Sequence, residues 1–98
     1  MRVAALLAFL GLALMAGAEE DQPTVTLDVK DEDVRVILQS MKEQCGIRNL
    51  LIDKDVQGKG LVYFNDVPCE TAFRTVFHQF GLTGQVEQNL VHVETRPD

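Results

Sequence analysis

Two cysteines stand at the ends of two apolar helical stripes, and that placement constrains the fold more than any other feature of the chain. Val34, Ile37, Leu38, Met41 and Cys45 recur at the three- and four-residue spacing that lines one face of a helix. Cys69, Ala72, Phe73, Val76, Phe77 and Phe80 repeat the pattern further along. Cys45 therefore closes the first stripe and Cys69 opens the second. Asp31 or Asp33 suits the N-cap of the first helix, since a short carboxylate accepts from free backbone N–H groups there. Gly46 suits its left-handed end. Pro68 fits the first turn of the second helix, and Gly81 stops it.

Strand-like segments surround both helices. Val25, Leu27 and Val29 alternate with Thr24, Thr26 and Asp28, the signature of a half-buried strand. Asn49 to Asp53 is a second strand, with Leu50, Leu51 and Ile52 in unbroken apolar sequence. Asp55, Gly58 and Gly60 mark a turn or short loop between Lys54 and Gly60. Leu61 to Phe64 is a third strand, apolar on both faces. Thr83 to Glu87 and Leu90 to Glu94 form a final pair about a Gln88-Asn89 turn. The expected fold class is α+β, two strand–helix–strand halves in the order βαβ then βαββ, with two helices packed on small sheets. If each helix runs back along the strand before it, the helices lie antiparallel. The end of the first then meets the start of the second.

The compartment bears on the cysteines. Met1-Arg2 is followed by an apolar run from Val3 to Met15 and then Ala16-Gly17-Ala18. A basic start, an apolar core and small residues before a cut are the parts of a secretory signal peptide. The run falls short of the roughly 20 residues that span a bilayer. The expected organisation is a signal peptide at 1–18, a loose arm at 19–23 and one domain at 24–96, exported to the periplasm or beyond. An exported chain with only two cysteines has one intramolecular pairing, Cys45 with Cys69, and antiparallel helices bring these residues together. The alternative is two buried free thiols acting as small hydrophobes.

Charge narrows the function. Cleavage after Ala18 removes one arginine and no acid, leaving eight basic against 15 acidic residues, a net charge of −7. The basic residues are scattered singly, so nucleic acid is a poor partner. An acidic surface serves solubility or a basic partner.

The ordered residues also carry a resemblance. They are Val25-Thr-Leu-Asp-Val29, Asp33-Val34-Arg35 with Ile37-Leu38, Cys45 to Asp53, Asp55 to Lys59, Asn65-Asp66-Val67-Pro68, Ala72-Phe73, Phe80-Gly81-Leu82, and Asn89 to Val93. In this order they resemble the short N-terminal domain shared by secretins and TonB-dependent receptors, the first periplasmic ring domain of secretins. The resemblance implies helices flanked by small sheets and a docking role without catalysis. The implied partner is a protein of the cell envelope, such as a secretin, a receptor or an inner-membrane component. The sequence ends at Asp98, so the expectation is a free-standing adaptor or accessory subunit of a secretion, pilus or TonB-linked complex. Cys69 stands where the family often has an aromatic residue after the proline.

Individual candidates are few. The third strand of the family alternates apolar inward with polar outward; by that resemblance Val62 and Phe64 take the inward positions, leaving Leu61 and Tyr63 outward as the candidate partner surface. An edge strand could also accept a partner's strand, although the sequence does not say which edge is free. His78 and His92 lie far apart with no adjacent ligand pattern, and no metal, cofactor or catalytic residue is expected. The Asp31-Glu32-Asp33 cluster reads as a helix start, and Asp53 and Asp55 as turn residues. Two other functions fit a small exported domain: a carrier of a peptide or apolar ligand between helices and sheet, and a structural subunit that assembles on itself.

Overall fold

A computed structural model describes residues 22–97. The signal peptide expected at 1–18 and residues 19–21 of the arm lie outside them. Among the described residues the order is β1 (Thr24–Asp33), α1 (Val34–Cys45), β2 (Asn49–Ile52), β3 (Lys59–Pro68), α2 (Cys69–Gln79), β4 (Leu82–Val86) and β5 (Leu90–Thr95). The fold is α+β, with the elements in the expected order.

The strands divide between two sheets. β1 pairs antiparallel with β3, while β2, β5 and β4 form a three-stranded sheet in that order. Within it β2 runs parallel to β5 and β4 antiparallel to it. The turn of the β4–β5 hairpin is closed by the Glu87 N–H on the Leu90 carbonyl, 2.9 Å. The Asn89 carbonyl of that turn accepts from the backbone and side-chain amides of Asn49, which sets the register of β2 on β5.

Both helices pack between these sheets. α1 touches β1 and β2, and α2 touches β3 and β4. Val25, Val62 and Phe64 face inward from the two-stranded sheet. Val34, Ile37, Leu38 and Met41 of α1, and Ala72, Phe73, Val76 and Phe77 of α2, are all buried. Val91, Val93 and Leu82 close the core from the other sheet, and all sixteen buried hydrophobic residues form one cluster. Gly84 permits the close approach of β4 to β5: a Cβ there would collide with the His92 carbonyl and also press on the Phe77 ring of α2.

Local signals explain where the elements stop. Asp33 caps α1, its side chain accepting from the Arg35 N–H at 2.8 Å, whereas Asp31 does not serve as the cap. Gly46 ends the helix at φ 68°, with its own N–H on the Glu43 carbonyl and that of Ile47 on the Lys42 carbonyl. That paired bonding satisfies carbonyls the helix would otherwise leave open, and the buried Ile47 supplies the apolar contact that goes with it. Pro68 sits one position earlier than expected, at the N-cap of α2, and makes no side-chain cap bond.

Two strands are longer than their alternating cores suggest. β1 runs to Asp33 and β3 spans Lys59 to Pro68, because each absorbs an irregularity in register. Asp31 (φ 51°) and Asp66 (φ 58°) adopt the left-handed conformation at these points. Aspartate tolerates that region better than most side chains. At the second irregularity Thr26 Oγ1 accepts from the Asp66 N–H at 3.0 Å, while Thr24 Oγ1 donates to Asp66 Oδ1 at 2.6 Å.

Each helix runs back along the strand that precedes it. Gln44, near the end of α1, bonds Thr26 near the start of β1, and Gln79, at the end of α2, bonds the Leu61 carbonyl near the start of β3. Since β1 and β3 are antiparallel, the helices are too. The end of α1 therefore meets the start of α2, where Cys45 and Cys69 are joined by a disulfide with their Cα atoms 6.0 Å apart.

Candidate functional site

The outer face of the β1–β3 sheet begins with its pairing. Val29 faces Val62 and Leu27 faces Phe64, all pointing towards the core side, and the intervening Asp28 faces Tyr63. Residues offset by one along a strand point to the opposite face. Leu61 and Tyr63 accordingly point outward, 58% and 64% exposed. They form an apolar pair beside the exposed Asp28 and Lys30. Nothing among the described residues covers them, so the strand that reads as apolar on both faces is covered on one.

The edges of this sheet are partly occupied. The Gln44 amide accepts from the Thr26 N–H at 2.8 Å and donates to the Thr26 carbonyl at 3.0 Å, a side-chain imitation of a neighbouring strand on β1. Gln79 Nε2 donates to the Leu61 carbonyl of β3 at 2.9 Å. Such bonds compete with a partner strand for the same backbone groups. Among the described residues β2 and β4, the outer strands of the other sheet, carry no comparable glutamine clasp. A groove of about 600 Å³ lies beside β4, lined by Arg74, Phe77, His78, Thr83, Gln85 and Arg96 among others. His78 is solvent-exposed on α2, as its place off the apolar stripe predicts.

The second histidine has neighbours that sequence spacing does not reveal. His92 lies on β5 opposite Leu51 of the parallel β2, and Asp53 follows at the end of β2. Glu94 lies two residues beyond His92, on the same face of β5. His92 Nε2 stands 3.2 Å from Asp53 Oδ1 and 3.5 Å from Glu94 Oε1. Asp53 is thus more than a turn residue. Its N–H donates to the Val93 carbonyl, and its own carbonyl accepts from Arg35 at 2.7 Å. Arg35 also donates through Nε to the Val56 carbonyl, so one guanidinium ties the β2–β3 loop to α1.

Asp31, Glu32 and Asp33 form no cluster of partners, since Asp33 is engaged as a cap and Glu32 accepts from the Asp33 N–H. Gly58 and Gly60 lie against the Phe80 ring, which is a packing role.

Known proteins place the fold. No known family model matches the sequence, and no curated protein matches it. Among solved structures, the N0 domain of the type II secretin from enterotoxigenic Escherichia coli is similar with a TM-score of 0.59 at 17% identity, covering 72% of this chain and 93% of that one. A cysteine-mutant dimer of the N-terminal domain of the secretin XcpQ from Pseudomonas aeruginosa gives a TM-score of 0.57 at 19% identity, over 72% of this chain and 34% of the other. At this identity the likeness is one of fold: the chain shares the architecture of the secretin N0 domain.

Proposed function

We propose that this chain is a non-enzymatic docking module of a secretion complex in the cell envelope, working in the periplasm. The observation that carries the reading is the exposed pair Leu61 and Tyr63, standing together on the outer face of a secretin N0-like domain. Among the described residues, Leu61 and Tyr63 are the two most exposed of the large hydrophobics, and they share one strand face. Such an apolar pair suits a protein contact, because burying it against a partner removes apolar area from water. The net charge of −6 for the whole chain favours a partner surface that is apolar at its centre and basic at its rim.

Pilus and TonB-linked complexes are the other settings implied by the sequence resemblance; the two secretin structures described above favour the secretion setting. The carrier reading needs an apolar cavity, and the interior is filled by Phe73, Ile37, Leu38 and Met41. The groove between α2 and β4 is open and lined largely by polar and charged side chains such as Arg74, His78, Gln85, Glu87 and Arg96.

Cross-linked capture from the native envelope tests the surface. Leu61→Glu and Tyr63→Glu should each remove the specifically captured protein while leaving thermal unfolding unchanged, since both side chains are exposed. Capture that survives both substitutions would eliminate this face.

A further inference from the structure

We propose that Asp53, His92 and Glu94 form a binding site for one first-row divalent cation, with Zn²⁺ the best match, on the outer face of the three-stranded sheet. These residues offer one imidazole nitrogen and two carboxylate oxygens, all within 4.8 Å of one another. A zinc ion holds such ligands at 2.0–2.1 Å in tetrahedral array, which sets neighbouring ligand atoms about 3.3–3.4 Å apart. The observed 3.2 Å and 3.5 Å separations from His92 Nε2 bracket that spacing. The remaining edge, between the Asp53 and Glu94 carboxylates, lies within 4.8 Å, and both side chains are about half-exposed.

The donor set also selects the ion. One nitrogen with two oxygens suits zinc and its first-row neighbours, whereas calcium takes six to eight oxygens. Two carboxylates supply the negative charge that a bare imidazole lacks, and three protein ligands leave a fourth position for water or a partner's side chain.

The scaffold fixes the backbone that carries the ligands before any ion arrives. His92 and Glu94 are fixed by β5, which is paired on both sides. Asp53 is held at its N–H by Val93 and at its carbonyl by Arg35. Binding therefore costs little backbone ordering. The alternative is an ordinary histidine–carboxylate cluster with no ion, and the two make different predictions.

Zn²⁺ titrated into the purified protein, followed by calorimetry and native mass spectrometry, should saturate at one ion per chain. Co²⁺ should broaden amide resonances around residues 53, 92 and 94 before others. His92→Ala should abolish saturable uptake. The near-isosteric Asp53→Asn should weaken it by at least the roughly tenfold that losing even an outer hydrogen-bond partner costs a metal site. His78→Ala should leave it unchanged. Circular dichroism should show both site variants folded, because these side chains are half-exposed. Absence of saturable uptake, uptake unaltered by His92→Ala, or broadening centred on His78 or the N-terminal acids would each overturn the assignment.

Discussion

Asp33 sits at the junction of β1 and α1, and its carboxylate accepts a bond from one of the N–H groups that begin the helix. Removing such a cap leaves that donor without its protein partner. Asp33→Ala should cost about 1 kcal/mol of stability, within the usual range of roughly 0.5–2 for N-caps, read from the urea midpoint. Asp31→Ala should not mimic it through capping, because Asp31 occupies the irregular position of β1 at φ 51°. The sequence allowed either residue as the cap, since both are short acids before an apolar stripe. Only the backbone path through the strand chooses between them. Asp53 and His92 were hidden for a different reason. They lie 39 residues apart, and only the parallel pairing of β2 with β5 brings them together. The visible fragment of that signal was His92 and Glu94 two apart on a strand, which alone is commonplace.

At the scale of elements, both helices were legible because apolar spacing, capping residues and terminal glycines agree with one another. The strand cores were legible too, but period two only separates Leu61 and Tyr63 from Val62 and Phe64. With all four apolar, the inward direction came from the family resemblance, and the burial of Val62 and Phe64 agrees with it. Strand ends were not legible. Lys59-Gly60 and Asn65-Asp66 look like loop, yet both extend β3: the first pairs with Asp33 and Glu32 beyond the irregularity in β1, and the second forms an irregularity pinned by Thr24 and Thr26. The Cys45–Cys69 bond links the two helices across a sequence separation of 24 residues. In the chain-entropy model, closing a loop of that length in the unfolded state stabilises the fold by about 3–4 kcal/mol. Replacing both cysteines with serine should lower unfolding stability by about that amount. Chemical denaturation of the double variant, compared with the oxidised protein, measures it. Thiol labelling without reductant supplies the control: the oxidised wild type should take up no label.

At the scale of the molecule, what the residues did not disclose is the partition of strands. β2 and β3 are consecutive, yet they belong to different sheets, and β2 instead joins a strand near the end of the chain. Local patterns encode which face of a strand is buried, not which strand lies beside it; pairing is decided by how helices and sheets share one interior. Here the interior is a single cluster reached from both sheets, and Phe73 is fully buried within it. Its ring also lies 6.2 Å from that of Phe77, which packs over Gly84 of the second sheet. Phe73→Ala should therefore cost about 3–5 kcal/mol, the range for truncating a buried aromatic. For a domain whose total stability is of order 5–15 kcal/mol, that loss leaves little reserve. The location of the damage is the sharper test. If one core unites the layers, amides of β1–β3 and of β2–β5–β4 should lose hydrogen-exchange protection together, in one cooperative transition. Retention of protection in one sheet after Phe73→Ala would mean that the two sheets are separable units, each stabilised by its own helix.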